Sequence, residues 1–514
     1  MSSDKLTSQP IDLSSYNPET DTVRLSFFYQ AGGKGEVPEK KDSLLLEYYS
    51  PSADKWEKAW FAVTDTSSHF SQVILAVPEA YYQAGFRFRF RNYTSLSVAE
   101  VSGGEGALSN VDCWNVDYIM MDTRPASEHY LIDDISLTEA PRELLDFYES
   151  IPWLHLNDAQ EIVRNFLHYV IRNLSPDPFD SVNVGRTYFT HDLNTGVFQY
   201  DEVLNSKFGG ASVNRANDAF FIPFTREDDS PEGAVEVTAY LIKNDEQYKP
   251  NDTTRTILNF RDYYAYDDGT PEYGFGISGE SAAGALLACR FRLYRADTLN
   301  ALDILFNKTR NHFNEGLEFR ICAWKDAGGV PGELIYMSPE TFTPGEQEGM
   351  AGFRRYRFAA DTAIVITDTS VFVGWKQVTE DFLNLGYDVN RNTLPRTYVN
   401  ISGDWDNPGS SLIPGTVMIR AVFGKEIITG GEEIPGEKEE VEIYPNPASD
   451  RLFIRTGGFR PVRLRMVDLQ GRVLLEKSGE TDGLDVSSIP AGLYFLQLGD
   501  RKGSLVTRKV VIRH

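Results

Sequence analysis

The sequence predicts an all-β chain made of several β-sandwiches, and three observations carry that prediction. Phe86-Arg87-Phe88-Arg89-Phe90-Arg91 alternates apolar and charged residues with period two, the pattern of a half-buried antiparallel strand. The sequence lacks the repeated amphipathic segments of about 10–15 residues that a parallel-sheet enzyme core needs between its strands. Its 41 Gly, 26 Tyr and 31 Phe are the stock of turns and strands. At 514 residues and about 150 residues per domain, the chain is sized for three or four domains.

Residues 11–138 read as the first β-module. Thr22-Val23-Arg24-Leu25-Ser26-Phe27 alternates, and Ser43-Leu44-Leu45-Leu46-Glu47-Tyr48-Tyr49 is a denser strand. Trp114–Ile119 and Tyr130–Ile135 are expected to close the module. Ala31-Gly32-Gly33-Lys34-Gly35 and Ser102-Gly103-Gly104 punctuate it as turns, without the spacing or strand-then-helix context of a phosphate loop. The three arginines of the Phe-Arg run read as a solvated or ion-paired sheet face.

Residues 139–262 change character. Arg142–Tyr148 is expected to form a short helix ending before Pro152. Residues 158–174 fit a helical stripe (Ile162, Phe166, Tyr169, Val170) and a strand (Phe166–Ile171) equally well. Strand-length pieces at 182–190, 197–200, 219–223 and 234–243 predict an immunoglobulin-like sandwich without its Cys…Trp…Cys core. Residues 263–425 form a second large β-domain, with strands expected at 287–293, 301–306, 317–324, 356–358, 371–378 and 417–423. Residues 426–440 hold six acids and one lysine among Gly and Pro, the composition of a solvated linker.

Charge narrows the function classes. Seventy-five Asp and Glu against 50 Lys and Arg give −25, which argues against nucleic acid and against anionic membranes. No apolar run has the length of a transmembrane segment. Three cysteines are too few and too scattered for a disulfide scaffold, and none stands in a CxxC spacing. Cys289 and Cys322 lie close enough in sequence to pair within one domain, but buried free thiols are the expected state. Asp112 beside Cys113 would raise that thiol's pKa.

Catalytic motifs are missing. There is no H-E-x-x-H, and Gly276-Ile277-Ser278-Gly279 is the nearest approach to G-x-S-x-G. His155 and His168 read as core or surface residues. Asp133-Asp134, Asp228-Asp229 and Asp267-Asp268 are neighbours in spelling, and in a strand they would face opposite sides. Asp267-Asp268-Gly269 lacks the full calcium-loop spacing, so turn residues are preferred there to a structural calcium. Trp56, Trp60, Trp114, Trp375 and Trp405 are candidates for stacking on sugar rings, against the plainer reading of core packing. No cofactor or catalytic residue is expected.

Residues 441–514 are the most specific part. Glu442-Ile443-Tyr444-Pro445-Asn446-Pro447 leads to a strand at Leu452-Phe453-Ile454. Val467-Asp468-Leu469-Gln470-Gly471-Arg472-Val473 reads as a hairpin, Ile489-Pro490-Ala491-Gly492-Leu493-Tyr494 as turn and strand, and Val506–Ile512 as the last strand. This segment carries 12 basic and 8 acidic residues, whereas residues 1–440 carry 38 and 67.

The motif order YPNPASD, VDLQGRV, IPAGLYFLQL and a closing KVVI resembles the C-terminal sorting domain of the type IX secretion system of Bacteroidetes. The resemblance implies an immunoglobulin-like sandwich that docks on an outer-membrane translocon. It also implies cleavage by a surface sortase-like peptidase in or near residues 426–441. Its motif residues here are Tyr444, Pro445, Asn446, Pro447, Gly471, Gly492 and Tyr494. Family members carry an export signal, which MSSDKLTSQPIDLSSY does not resemble, so Met1 is expected to be an artificial or misassigned start.

The body is similar, more loosely, to concanavalin- or MAM-like jelly rolls of such surface proteins, through SFFYQAGGKGE, DSLLLEYY, FRFRFRNY, WNVDYI and YLIDDISL. YDDGTPEYGFG, FVGWKQV, LGYDVN and VMIRAVFG resemble a second such sandwich. Asp21-Thr22-Val23, Asp42-Ser43-Leu44, Asp180-Ser181-Val182 and Asp297-Thr298-Leu299 resemble the O-glycosylation acceptors of exported Bacteroidetes proteins. The sequence thus predicts an exported or outer-membrane-surface protein with a non-catalytic body for a glycan or protein ligand. A surface hydrolase, or an accessory subunit of one, is the alternative, and a structural surface-layer component the third reading.

Overall fold

The computed structural model describes residues 2–64, 69–95, 104–109, 112–130, 134–139, 144–164, 166–175, 181–210, 212–219, 225–226, 230–242, 251–307, 314, 316–345, 352–359, 364–408, 412–424, 441–456, 462–467, 473–479, 483–499 and 505–513. They fall into two compact units, Met1–Glu426 and Ile427–His514. The chain is all-β, its strands joined in antiparallel sheets. Among the described residues no helix is long and apolar enough to cross a membrane.

The amino-terminal part of the first unit is a β-sandwich. One sheet joins Ser2–Thr7, Ala84–Tyr93, Ser43–Ser50 and Lys55–Val63, with Ile11–Asp12 on its margin; the other joins Ser71–Ala76, Arg24–Ala31 and Trp114–Asp122. Phe27 of the smaller sheet meets Phe90 and Trp60 of the larger at ring distances of 4.8 and 5.1 Å, which locks the two faces together. Phe86, Phe88 and Phe90 all point into this core, as their alternation requires. The arginines between them face outward, where Arg89 and Arg91 share the carboxylate of Glu47 at 2.6 and 3.2 Å. The Phe-Arg run is therefore an ion-paired sheet face.

Residues 135–423 share one continuous core, from Ile135 through Trp153 and Trp375 to Phe423. Ile135–Glu139, Phe166–Asn173 and Ser212–Ala219 form one sheet, and Phe198–Gly209, Ser181–Asp192, Gly233–Ile242 and Thr253–Phe260 form another. Pro331–Met337, Phe319–Asp326, Ser370–Gln377, Leu286–Arg292 and Thr397–Asn400 make a five-stranded sheet further on. Gly104–Ser109 leaves the first sandwich and pairs antiparallel with Tyr273–Ser278. Main-chain hydrogen bonds and a common core thus cross both 138/139 and 262/263.

Several local expectations are corrected. The described residues 144–148 are irregular and not helical: Leu144, Leu145 and Tyr148 are all spent on the core, and Leu145 pairs with Val163 in an antiparallel bridge. The ambiguity of 158–174 resolves into both states in succession, a 3₁₀ segment Trp153–Ile162 and then the strand Phe166–Asn173. Tyr130 ends a short 3₁₀ turn, Ala126–Tyr130, and the strand begins at Ile135. Gly104, expected in a turn, opens the strand that reaches Tyr273–Ser278. The whole 426–440 linker, with Asp133, Asp228-Asp229, Asp180 and residues 220–223, lies outside the described residues.

The second unit pairs Val441–Tyr444 with Arg451–Thr456 and Gly483–Asp485 in one sheet. The other sheet is Val473–Ser478, Arg463–Val467, Gly492–Gly499 and Leu505–Ile512. Leu452, Leu464, Met466, Leu496, Leu498 and Val510 fill the core.

Candidate functional site

Of the sorting-motif residues, Asn446 sits at the seam where the segment after Val441–Tyr444 meets the last strand, Leu505–Ile512. The Asn446 Oδ1 accepts the Val511 N–H at 2.8 Å. Next to it the Ala448 N–H donates to the Val511 carbonyl, and the Arg513 N–H donates to the Ala448 carbonyl, both at 2.8 Å. Pro445 and Pro447 follow cis peptide bonds and are exposed. Tyr444, 48% exposed, stacks on Phe453 at 5.9 Å. Tyr494 is buried, and its hydroxyl donates to the Pro490 carbonyl at 2.7 Å, closing the turn that enters its strand. A side chain at Gly492 would place its Cβ 3.2 Å from that hydroxyl, so the glycine keeps the turn clear. Gly471 lies outside the described residues.

In the first unit a cavity of about 640 Å³ opens at one end of the first sandwich. Its apolar lining comes from both sheets, Leu44 and Phe90 on one and Trp114 and Val116 on the other, with Asn92, Asp112 and Asp117 among its polar groups. Beside it the carboxylates of Glu39, Asp42 and Asp112 converge, one oxygen of each lying within 4.8 Å of the others. Burial, followed by the charges of Asp42 and Glu39, pushes the Asp112 carboxyl up to about 7. Burial also works to raise Asp42, but hydrogen bonds from Glu39 and Ser95 outweigh it and hold Asp42 below its usual range.

A second cleft, of about 430 Å³, is lined by Glu149, Ser150, Asn259, Asp267, Asp268 and Arg420 among others. Asp267, 1% exposed, grips Arg420 through two contacts of 2.5 and 3.2 Å, and the guanidinium lies 3.7 Å from the centre of the Phe353 ring. The Asp267 charge is thereby taken by an arginine rather than left for a cation. Glu149 is likewise held by Arg391 at 2.6 Å. Asp388, fully buried, accepts the N–H groups of Asp268 and Asn390; burial, then the nearby Asp268, pushes its carboxyl up to about 8.

Two buried histidine clusters have the composition of catalytic sites. The His129 Nδ1 is 2.9 Å from the Ser26 hydroxyl, and its Nε2 is 3.0 Å from Asp122 Oδ1, though off the line of a good hydrogen bond. Ser26 is 1% exposed and His129 not at all, so no substrate carbonyl reaches the hydroxyl as the chain is folded. His155 is also fully buried, between the Tyr264 hydroxyl and Asp297 at 2.8 Å each. Both clusters satisfy polar groups inside the core.

The remaining candidates separate by burial. Trp375 is wholly in the core; Trp60 packs on the first core; Trp405 stands edge-on to Trp324 at 5.3 Å. Trp56 lies under the Arg89 guanidinium at 4.1 Å, and Trp114 lines the 640 Å³ cavity. All three cysteines are free, and burial pushes Cys289 and Cys322 up to about 12. Sequence reading missed the carboxylate trio and the Ser26–His129–Asp122 chain. Asp112 lies 70 residues beyond Asp42, and Ser26 lies 103 residues before His129, so each group is completed only in the fold and no spacing announces it. Asp112 stands out in the sequence for its neighbour Cys113, and Asp42 within Asp42-Ser43-Leu44.

Comparison with known proteins places the specific likeness in the second unit. Residues 442–513 match the family described as "Secretion system C-terminal sorting domain". Beta-agarase D of Zobellia galactanivorans is 36% identical over 74 residues, 14% of this chain and 15% of that protein. The chain thus spans a small fraction of the curated relative it matches. Among solved structures, beta-glucuronidase of Bacteroides uniformis covers 53% of this chain and 27% of its own at 10% identity and a TM-score of 0.20. Latent PorU of Porphyromonas gingivalis covers 77% and 35% at 12% identity and 0.13. Superpositions this loose bear on neither fold nor function.

Proposed function

From a chain whose residues 442–513 are a type IX secretion sorting domain, directing it to the cell surface or the extracellular space, we infer a surface or secreted binding protein. The second unit is recognised by the secretion machinery, and a surface sortase-like peptidase removes it within 426–441. The first unit binds a glycan or protein ligand and performs no chemistry on it. The observation that carries this reading is the contrast between its polar centres and its open cavity. The Ser26–His129, His155–Asp297 and Asp267–Arg420 groups are closed by internal partners, whereas the 640 Å³ cavity offers Trp114 and Phe90 beside amide and carboxylate groups. Aromatic faces with a few polar groups suit sugar rings and peptide side chains alike.

The alternative, a surface hydrolase, has the Ser26–His129–Asp122 chain in its favour and the burial of Ser26 against it. A glycan array probed with the full chain separates the two. Selective binding without product, weakened by Trp114→Ala, supports the binding protein. Product formation that disappears in Ser26→Ala overturns it.

A further inference from the structure

We propose that Glu39, Asp42 and Asp112 hold a calcium ion that ties two loops together beside the cavity of the first sandwich. The residues come from separate places: Glu39 and Asp42 precede the strand Ser43–Ser50, and Asp112 precedes Trp114–Asp122. Ser95, which follows Ala84–Tyr93, links them, its hydroxyl lying 3.1 Å from Glu39 Oε2 and 2.8 Å from Asp42 Oδ2.

Two independent observations point to a cation. The first is the approach itself. One oxygen from each carboxylate lies within 4.8 Å of the other two, inside the roughly 5 Å diameter of a calcium shell built at 2.3–2.6 Å per bond. The second is an orphaned acceptor. Asp112 is 2% exposed, and its Oδ1 is buried without a hydrogen-bond partner. The nearby donors are the Ser95 hydroxyl, the Ser95 N–H to Asp112 Oδ2 and the Glu39 N–H to Asp42 Oδ2, each of the two N–H contacts being 3.2 Å. Those are three N–H and hydroxyl donors for six carboxylate oxygens, beyond which the Asp42 carboxyl bonds to those of Glu39 and Asp112. Among the described residues none of the three acids has an ion-pair partner, and Arg89 and Arg91 of the same sandwich are spent on Glu47. Packing like charges together without a counter-charge is costly, and a hard dication answers it with oxygen ligands alone. Asn92 adds a neutral acceptor: its Nδ2 donates to the Asp112 carbonyl at 3.2 Å, and its Oδ1 is buried and unpartnered.

The site is distinct from Asp267-Asp268, where Arg420 supplies the positive charge. It does not depend on the cavity having a ligand, so its test stands apart from the binding reading. Equilibrium dialysis of the full chain against about 1 mM calcium, a concentration matched to extracellular calcium modules, gives the count of bound ions. The proposal expects Asp112→Asn and Glu39→Gln each to bind one fewer equivalent than the wild type, while their unfolding midpoints in chelator stay at or above the wild-type value because repulsion is relieved. Calcium is expected to raise the wild-type midpoint and to raise those of the variants less. Equal uptake by wild type and both variants overturns the proposal, as does a wild-type chain that takes up no calcium. Should Asp112→Asn fail to fold, Glu39→Gln, at a half-buried position, carries the comparison alone.

Discussion

Tyr494 allows the stability of the sorting domain to be perturbed in graded steps. Its ring is in the core of the second unit, and its hydroxyl holds the Pro490 carbonyl at 2.7 Å. Tyr494→Phe removes only the hydrogen bond, at a cost of about 1 kcal/mol. Tyr494→Ala also removes a buried ring, which costs about 3–5 kcal/mol more. A domain of this size is stable by roughly 4–11 kcal/mol, from 0.05–0.15 kcal/mol per residue. Alanine therefore takes most of the margin at the lower end of that range, and phenylalanine takes little. All seven tryptophans lie in residues 1–426, so tryptophan fluorescence reports the first unit alone, and limited proteolysis of residues 442–513 reports the second. The expected result is rapid cleavage of the tail in Tyr494→Ala, slow cleavage in Tyr494→Phe, and an unchanged urea midpoint by fluorescence in both. A tail as resistant in Tyr494→Ala as in the wild type would refute the reasoning.

Two further outcomes follow from buried ionisable groups. Asp388 has its folded carboxyl raised to about 8, so the folded chain holds a proton that the unfolded chain releases near 4. Its contribution to stability is fully present below about pH 4, declines as the pH rises toward 8 and is level above it, at up to about 1.4 kcal/mol per unit. Urea midpoints at pH 5 and pH 8 are expected to fall with pH in the wild type and to flatten in Asp388→Asn; an equal slope in both sinks the assignment. The free, buried Cys289 and Cys322 are expected to resist a thiol reagent at pH 8 in the native chain, with Cys113 reacting slowly and all three reacting in denaturant. Fast labelling of three thiols in the native chain would contradict their placement.

How much of this was legible in the sequence depended on the range of the interaction. The Phe86–Arg91 alternation fixed a strand and both of its faces, because side-chain direction along a strand is a local property. The tail was legible for the same reason: Pro445, Pro447, Gly492 and Tyr494 act within turns a few residues long. Residues 158–174 were harder, since Ile162, Phe166, Tyr169 and Val170 satisfy a helical stripe, yet tertiary packing divides them between a 3₁₀ segment and a strand. Gly104 reads as a turn until Tyr273–Ser278, far along the chain, supplies its hydrogen-bond partners. The Glu39–Asp42–Asp112 cluster was illegible because Asp112 lies 70 residues beyond Asp42 and joins it only in the fold.

Export is the claim on which the rest of the account stands. Behind a common leader, the full chain and a chain lacking residues 442–513 can be expressed in a bacterium with a working type IX system, and the surface and medium fractions measured. The full chain is expected at the surface or in the medium and the shortened chain is expected in the periplasm. Equal export of the two would contradict the assignment of residues 442–513 as the sorting signal.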